Sequence, residues 1–508
     1  MSLRDHDRRS YIADTARAFT QHRIGKREFL RRMALAGVGF SGFATTFLGQ
    51  GRPFGGLTNI GSELAAAQTP DDVKKWLADV SKPFKGTTIR FTSEATPPTI
   101  VANQITKDEF TAVTGINVEI EIVPLEQVLQ KATLDVQGQL GTYDLYYLDQ
   151  SWMATFAQDT IDPLEKYKAN AELAMPGFNW DDFSKPLVDG ISMYDGKMVS
   201  IPFDIPIFIL MYRKDLFDKH GVAVPTTMEE YMAAVKTLDA AERGNGIFGT
   251  TGQLKSGHYS LNCDWTAWLW SQGGSIFDAS QMFSGGDADG IAGLEYMLEL
   301  VKHMPPAATT WTWDGEGQSV SQGTAAMLIS WGEFFPGFDG KDSKVVGLME
   351  AAHPPKETKL RTAAEAGFGE IPHIGHQGGS GLALSAYSKN QDAAWIYMQW
   401  ICSPDVMARV STLGGGASPM RISSFKDPRV LAAAKVGPGT TRHFPAIEWT
   451  INNAMGSEPD MPAWAEISNN VIPVELGKLL AGQYSSPQQC MDAIKVKADE
   501  LAAPFRKS

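Results

Sequence analysis

Carboxylates, an amide and a tryptophan follow two predicted strands of this chain. Glu94 comes directly after the predicted strand 87–92, and Asp149, Gln150 and Trp152 follow the predicted strand 143–148. Such groups can hydrogen-bond to hydroxyls and stack on flat apolar faces. Two carboxylates can also act as acid and base in the hydrolysis of a glycosidic bond. The residue types therefore predict a polar binding site or a hydrolytic centre.

Two more acidic residues strengthen both interpretations. Asp204 lies between two prolines, and Glu333 follows the predicted strand 325–330, two residues after Trp331. Glu333 with Asp204 or Glu94 could form a catalytic carboxylate pair, although Asp204 could instead cap a turn and Glu333 could be a surface acid. The chain has no G-x-S-x-G or H-E-x-x-H motif and no metal-ligand cluster among its nine histidines. Their absence argues against a hydrolase or a metalloenzyme.

The first candidates are positioned by an alternation of strands and helices. The segment 87–148 alternates strand, helix, strand, helix and strand, which demands a mainly parallel sheet with right-handed crossovers. In such sheets ligands bind beyond the carboxyl ends of the strands. Residues 207–212 form an unbroken apolar run, which predicts a strand buried on both faces.

The pattern of strands and helices restarts after this buried strand. It predicts helices over 228–238, 291–303 and 390–402, and strands over 246–251 and 325–330. Two α/β units joined by a buried strand predict two lobes crossed more than once by the chain. Between such lobes lies a cleft that closes by hinge motion.

The first 67 residues differ from the rest in charge and composition. Their ten basic and five acidic residues give a net charge of +5. Because the whole chain carries −13, residues 68–508 carry −18. A charged segment is followed by a weakly apolar, Gly/Ala-rich segment and then by Ala-Ala-Ala. This order predicts an export signal over 1–67, and the alternative is an amphipathic helix that is retained in the protein. The Lys-Arg-x-Phe-Leu core at 26–30 is similar to the twin-arginine type, with Lys26 in place of the first arginine, so the Sec route stays open.

Charge and cysteine content narrow the class of protein further. An acidic body argues against nucleic-acid binding. Cys263, Cys402 and Cys490 are too far apart in sequence for a disulfide framework or a metal site, and none follows the leader as a lipoprotein requires. We therefore expect a soluble protein released into a periplasm.

Five motifs in a fixed order resemble those of the extracellular solute-binding proteins of ABC transporters. The resemblance is to the carbohydrate-binding family that includes maltose-binding protein, and it covers nearly all of residues 85–500. The motifs are DGKMVSIP (195–202), MYRKDLF (211–217), PTTMEEY (225–231), GTAAMLISW (323–331), and GGSGLAL (378–384) followed by KNQDAAW (389–395).

The resemblance implies an α/β, two-lobed periplasmic-binding-protein fold of type II, each lobe with a mainly parallel sheet. Lobe 1 would contain 68–204 and 366–424, and lobe 2 would contain 205–365 and 425–508. The family implies no catalysis, no cofactor and no metal. It implies a monomer that closes on a sugar or polyol and delivers it to the permease subunits of an ABC importer. The alternative function is an exported carbohydrate-active hydrolase that uses paired carboxylates.

The resemblance also implies which residues contact the ligand. In that family a tryptophan after the GTAAM-type strand stacks on sugar, which is the position of Trp331. Trp268 lies in a cluster with Trp265 and Trp270, and it could be a core residue as we expect those two to be. Arg421 could instead pair with an acid across the lobes. The predicted ligand-binding residues are Glu94, Asp149, Gln150, Trp152, Asp204, Trp268, Trp331, Glu333, Ser380 and Arg421.

Overall fold

The computed structural model of the protein describes residues 69–167, 170–361, 371–373, 375–413 and 417–506. The predicted export signal, residues 1–67, lies outside the described residues. Within them, no helix has both the length and the apolar character needed to cross a membrane.

The strands fall into two main sheets and three short two-stranded pairs. They are β1 Thr88–Ser93, β2 Asn117–Ile122, β3 Leu145–Asp149, β4 Met193–Tyr194, β5 Lys197–Met198, β6 Ile201–Asp204, β7 Phe208–Arg213, β8 Met327–Trp331, β9 Met349–Ala352, β10 Lys356–Arg361, β11 Ile371–His373, β12 Gly375–His376, β13 Ser380–Leu384 and β14 Met455–Gly456.

Helices surround both sheets. The α-helices are Asp71–Val80, Pro97–Ile105, Ala112–Thr114, Leu125–Gly138, Met153–Phe156, Pro163–Tyr167, Lys185–Ile191, Lys214–His220, Met228–Glu242, Tyr259–Ser271, Ala288–Val301, Trp313–Ser321, Phe335–Phe338, Gln391–Ile401, Pro404–Leu413, Pro428–Ala432, Phe444–Asn453, Trp464–Glu466, Ile472–Leu480 and Pro487–Ala502.

The sheet of lobe 1 has the order β2-β1-β3-β13-β6. Strands β2, β1 and β3 pair in parallel, as the alternating segment predicts, and β13 pairs antiparallel with both β3 and β6. All five residues of β3 are buried, which explains its continuous apolar and aromatic sequence. Strand β13, which lies between β3 and β6, comes from a part of the chain that follows the sheet of lobe 2.

The sheet of lobe 2 differs from the prediction. Its strands have the order β8-β7-β9, and β7 pairs antiparallel with both neighbours. The predicted strand over 246–251 is reduced to a single parallel bridge between Phe248 and Ala325. Strand β7 is almost fully buried, as its apolar run predicts. The expectation of a mainly parallel sheet therefore holds for the first three strands of lobe 1 and is wrong for lobe 2.

The chain passes between the lobes at points that strand pairing defines. Sheet membership changes between Asp204 and Phe208, where the predicted boundary at 204/205 lies. It changes back between β12, which pairs with β14 at the hinge, and β13. The helix Pro428–Ala432 packs on the helix Pro404–Leu413 of lobe 1. The second and third crossings thus lie downstream of the predicted boundaries at 366 and 424.

Candidate ligand-binding site

Four predicted site residues lie at one edge of the lobe 1 sheet. Ser380, at the start of β13, stands in register with Asp149 at the end of β3 and with Asp204 at the end of β6. Glu94 comes directly after β1, which pairs with β3. Because β13 runs antiparallel to β3 and to β6, the start of β13 lies at the same sheet edge as the ends of the other strands. The polar groups that the sequence places after strands therefore do come together.

Asp204 meets a carboxyl of the opposite lobe. Its buried Oδ2 atom accepts a hydrogen bond from the Tyr147 hydroxyl at 2.9 Å. Its carboxyl also lies within hydrogen-bonding reach of that of Glu333, in the turn that follows β8 of lobe 2. The Oε1 atom of Glu333 accepts from the backbone N–H of Ser418 at 3.2 Å. The Asp204–Glu333 pair thus joins the two lobes at the hinge.

The electrostatics of this pair favour a shared proton. Burial raises the pKa of Asp204, although hydrogen bonds from Glu333 and Tyr147 oppose the shift. Burial also raises the pKa of Glu333 well above its usual range, and the neighbouring Asp204 charge raises it further. Two carboxylates in contact cannot both ionise without strong repulsion. The pair therefore retains a proton that free carboxyls lose.

Asp149 is held by its own strand end and by β13. Its Oδ1 atom accepts from the N–H of Ser151 at 2.9 Å and from the Ser151 hydroxyl at 2.6 Å. The Ser380 hydroxyl lies 3.5 Å from Oδ2. Burial raises the pKa of Asp149 to about 7, and the bonds from Ser151 and Ser380 limit the rise. The carboxyl is fixed in position and easily protonated.

Gln150 connects lobe 1 to the second crossing. Its Nε2 donates to the backbone oxygen of Gln377 at 2.5 Å, and its Oε1 accepts from the Gln377 amide and from the N–H of Glu458. The side chain is buried. Because its amide is used in these bonds, Gln150 serves to hold the hinge segments together.

Acidic groups continue toward the helices that face each other across the cleft. Burial raises the pKa of Glu94 well above its usual range, and the charges of Glu126, Asp204, Asp149 and Asp314 raise it further. Glu126 belongs to lobe 1, and its Oε1 atom lies 2.6 Å from Nε2 of His258 in lobe 2. This contact shows that the lobes are closed upon each other.

Trp331 lies at the end of β8, beside the second crossing. Its Nε1 donates to Oε1 of Gln253 at 3.1 Å, and its ring packs edge-on against Phe208 at 4.3 Å between centroids. A Cβ atom on Gly378 would lie 2.7 Å from the indole, so only glycine fits there. The residue is 6% exposed, which makes Trp331 a wall of the hinge with a small accessible surface.

The other two predicted tryptophans lie in apolar surroundings. Trp152 is buried in the turn that packs on the helix Trp464–Glu466, and its Nε1 has no hydrogen-bond partner among the described residues. Trp268 is stacked with Tyr231 and tilted against Tyr296, inside lobe 2. The structure therefore does not bring Trp268 to the sheet edge, and its core interpretation is the one that the contacts favour.

Arg421 also lies apart from the sheet edge. Its guanidinium lies over the ring of Phe183 at 3.9 Å, and its Nε donates to the backbone oxygen of Cys402 at 2.8 Å. An ion pair at 3.4 Å joins it to Asp182, which belongs to the same lobe. These contacts place Arg421 in the interior of lobe 1, so the alternative of an ion pair across the lobes does not hold either.

Sequence reasoning missed several residues that the fold brings to the cleft. Tyr147 lies two residues before Asp149 on β3 and therefore shares its face, a signal present in the strand itself. Ser418 belongs to the glycine-rich loop that precedes Arg421. Nothing local marks His258, whose Nδ1 accepts from the N–H of Ser260 at the start of a helix.

A second buried acidic centre lies behind the hinge, around Glu458. Its carboxylate is buried and accepts hydrogen bonds from four side chains of different types. The donors are the Tyr259 hydroxyl at 2.7 Å, the Asn262 amide at 2.7 Å, the Trp464 indole at 2.7 Å and His376 Nε2 at 3.0 Å.

This Glu458 centre does not have the chemistry of a metal site. Cys263, His376 and Glu458 offer ligand atoms within 4.8 Å of one another, the one such group in the described part of the chain. Burial and the nearby Glu458 charge raise the pKa of Cys263 well above its usual range, so the thiol keeps its proton in the metal-free protein. The four donors already occupy the lone pairs of Glu458. The cluster is therefore a hydrogen-bonded part of the interior.

Comparison with known proteins identifies the family. A sequence profile of bacterial extracellular solute-binding proteins matches residues 106–437, so the chain belongs to that family. The chain is 24% identical over 389 residues to a probable amino-acid ABC transporter periplasmic-binding protein of Sinorhizobium fredii, covering 75% of this chain and 83% of the relative. It is 21% identical over 427 residues to the erythritol/L-threitol-binding protein of Mycolicibacterium smegmatis, covering 78% of this chain and 83% of the relative.

Solved structures confirm the two-lobed type II fold. The ribitol complex of an ABC transporter solute-binding protein from Agrobacterium radiobacter superposes with a TM-score of 0.73 at 27% identity, covering 83% of this chain and 100% of that one. Maltose-bound MalE3 of T. maritima superposes with a TM-score of 0.68 at 21% identity, covering 82% and 100%. The α/β class and the family resemblance are therefore both confirmed.

Proposed function

We propose that this chain is the solute receptor of an ABC importer and that it captures a sugar or polyol between its lobes. The observation that carries the proposal is the Asp204–Glu333 pair, in which each lobe supplies one carboxyl at the hinge. Related proteins whose names specify erythritol, L-threitol or mannitol support this class of solute.

The geometry explains how a small solute can couple binding to closure. Asp149, Asp204 and Glu94 belong to lobe 1, whereas Glu333 and Trp331 belong to lobe 2. A solute whose hydroxyls donate to carboxylates of both lobes stabilises the closed state relative to the open state. Buried carboxylates without such donors cost free energy, which makes the polar groups selective for solutes that satisfy them.

The hydrolase alternative has no support in the family or in the geometry. Glycosidases need carboxyls about 5–5.5 Å apart for retention or about 6.5–9.5 Å apart for inversion. The carboxyls of Asp204 and Glu333 lie within hydrogen-bonding reach of each other. That contact is shorter than either spacing.

A thermal-shift screen of erythritol, ribitol, mannitol, glucose and maltose tests the proposal. A solute that binds only the folded state raises the melting temperature. We expect at least one of these solutes to do so, and small-angle scattering to show a more compact molecule in its presence. Chromatography of the recovered solute should show no conversion. Turnover without a stabilising shift would contradict the receptor function.

Replacement of Trp331 tests the wall of the hinge. We expect Trp331→Ala to weaken solute binding at least about tenfold, because an apolar face of the solute loses its aromatic partner. Since Trp331 is also buried, Trp331→Phe is the matched variant that keeps a ring and limits the cavity. Calorimetry should show the highest affinity for the wild type, a lower affinity for Trp331→Phe and the lowest affinity for Trp331→Ala. Equal affinities would remove Trp331 from the site.

We further propose export to the periplasm by a twin-arginine-like signal, action as a monomer, and docking on permease subunits. The Lys-Arg pair at 26–27 supports the export route. Fractionation of a host that lacks the twin-arginine translocase should leave the precursor in the cytoplasm. Export in that host would assign the chain to the Sec route. Light scattering of the mature protein tests the monomer.

A further inference from the structure

The cleft holds an excess of carboxylates, and this excess constrains the solute. We define the acidic cleft as six residues from both lobes that act electrostatically on one another. Its members are Glu94, Glu126, Asp149 and Asp204 of lobe 1, and Asp314 and Glu333 of lobe 2.

Cationic side chains do not balance these carboxylates. Among the residues that the structure describes, no lysine or arginine forms an ion pair with Glu94, Asp149, Asp204, Asp314 or Glu333. The sixth member, Glu126, is paired with His258. Asp149 and Asp204 are buried, Glu94, Glu126 and Glu333 are half-buried, and Asp314 is exposed. Burial of uncompensated charge is costly, so the buried members favour either protons or a positively charged solute.

Two buried oxygen atoms in the cleft also await a partner. Asp204 is 0% exposed, and its Oδ1 atom accepts no hydrogen bond from a hydroxyl or amide of the described residues. Besides Tyr147, the Asp204 carboxyl has Glu333, the Thr96 hydroxyl and the backbone N–H of Ile205 nearby. The Ser418 hydroxyl is likewise buried and unpartnered, and its own N–H binds Glu333. A donor group placed between Asp204 and Glu333 would satisfy both sides of the hinge.

The spacing of the carboxylates does not suit a bare metal ion between Asp204 and Glu333. In the described part of the chain, no three residues of the acidic cleft bring one carboxylate oxygen each within 4.8 Å of one another. A calcium ion needs six to eight oxygen ligands around one point. Carboxylates that are spread over a cleft instead suit an organic solute with a cationic group and several hydroxyls.

An ammonium group fits these conditions better than a neutral hydroxyl. It carries three donors and is mostly charged at neutral pH, since ammonium pKa values lie between about 8 beside electron-withdrawing groups and about 10 in a simple alkylamine. It would replace the shared proton of the carboxyl pair with a full positive charge. Charge-assisted hydrogen bonds to carboxylates are about twice as strong as those between neutral groups.

Building on the proposed sugar or polyol receptor, we propose that its solute is an amino sugar or amino polyol, with the ammonium group between Asp204 and Glu333. Its hydroxyls then donate to the remaining carboxylates, including Glu94 and Asp149. The titratable groups that face the pair are Tyr147 and Glu94, and neither is a cation at neutral pH.

Calorimetry with matched solutes tests this inference on the full mature chain. The pairs are glucitol and glucamine, glucose and glucosamine, and galactose and galactosamine, each measured near neutral pH. For the pair whose carbon skeleton binds most tightly, we expect the amine to bind at least about tenfold more tightly than the neutral partner. If a neutral solute binds and its amine binds equally or more weakly, the inference is overturned while the receptor function stands. If no sugar or polyol of either kind binds, both are overturned.

Two isosteric variants locate the ammonium group. Glu333→Gln and Asp204→Asn should each remove the preference for the amine, with a fall of about tenfold in the affinity ratio, while neutral solutes still bind. Glu295→Gln, at an exposed position on the helix Ala288–Val301, is the matched control and should keep the ratio. A preference that survives in both cleft variants would overturn the placement.

Proton release gives a second readout that a general loss of affinity would not change. Since the ammonium displaces the shared proton, the binding enthalpy of the amine should vary with the ionisation enthalpy of the buffer. This dependence should disappear in Glu333→Gln and be absent for a neutral solute. Amine binding without proton release in the wild type would contradict the displacement.

Discussion

The Glu458 centre and the Asp204–Glu333 pair are both acidic, yet they are built in opposite ways. Glu458 receives four hydrogen bonds from neutral or weakly basic donors on three segments of the chain. Asp204 and Glu333 face each other and share a proton in place of a full set of donors. A buried carboxylate with a full set of donors is part of the interior, whereas one that faces another carboxylate at a cleft is poised for a ligand.

The comparison predicts opposite effects of removing charge at the two places. At the Glu458 centre the charge organises its neighbours, and its loss leaves buried donors unpaired. At the hinge, Asp204 and Glu333 cannot both ionise in the absence of solute. Removal of one carboxyl takes away this constraint. Measurements of the stability of the solute-free protein and of the affinity for solute, made on variants of each region, should therefore distinguish the two regions.

Glu458→Ala should have the largest effect. The four donors would lose their common acceptor, and we expect the free energy of unfolding to fall by about 3–5 kcal/mol, as for a broken buried charged network. Urea unfolding monitored by tryptophan fluorescence gives the value. Glu295→Ala at the surface is the control. A loss below about 1 kcal/mol would mean that water replaces the carboxylate without cost.

The stability of the solute-free protein should depend on pH through Asp149. Its folded-state pKa is about 7, above the value in the unfolded chain, so the folded state keeps a proton that the unfolded state releases. The free energy of unfolding therefore falls as pH rises from about 4 to about 7. Thermal unfolding across this range should show the decline, and Asp149→Asn should flatten it.

An opposite dependence at lower pH provides an internal check. Hydrogen bonds from Lys497, Tyr484 and Lys478 outweigh burial and lower the pKa of Glu475 to about 2. Its contribution to stability is present above the ordinary glutamate pKa and is lost as pH falls toward about 2. We therefore expect maximal stability between these two ranges. A steady rise in stability up to pH 7 would contradict the role given to Asp149.

Asp204→Asn should leave the melting temperature of the solute-free protein unchanged or higher. The amide oxygen still accepts from Tyr147, while the amide N–H group can donate to Glu333 in place of the shared proton. Affinity for the solute should nevertheless fall about tenfold or more, about 1.4 kcal/mol. Scanning calorimetry with and without solute measures both effects, and Glu458→Gln provides the contrast of a lower melting temperature. A destabilised Asp204→Asn protein would place Asp204 with Glu458 among structural carboxylates.

His258→Asn should have the smallest effect. Asparagine can retain the cap at the start of the helix Tyr259–Ser271 but is too short to reach Glu126. The partly exposed contact across the cleft is worth about 0.5–1 kcal/mol, so solute affinity should fall by a few-fold with no change in melting temperature. Calorimetry checks this. Unchanged affinity would show that the contact forms equally in the open and closed states.

Sequence patterns predicted the local elements and the strand ends well, because both depend on neighbours along the chain. Alternating and continuous apolar runs located β1, β2, β3 and β7. The rule that ligands bind beyond strand ends located Glu94 and Asp149. The direction of the strands in lobe 2 was not predictable in this way, because long helical connections separate β7 from β8 and sequence order does not fix their orientation.

Positions that depend on distant partners were the ones that sequence reasoning missed. Arg421 looked like a binding residue, but its guanidinium is enclosed by Phe183 and by the carbonyl of Cys402. Trp268 looked like a stacking residue, but Tyr231 occupies its face. Neither partner is near in sequence, so composition and spacing carry no trace of these contacts.

The position of β13 in the lobe 1 sheet determines the order in which the protein can be built. The hydrogen bond between Ser380 and Asp149 spans 231 residues, so β3 and β6 are synthesised long before the strand that fills the gap between them. Until then both present unpaired backbone edges, which invite pairing with other chains. Closure of such a distant loop also slows folding. Lobe 1 is therefore not an independent folding unit, and the nascent chain depends on lobe 2 and on protection of its strand edges until synthesis is nearly complete.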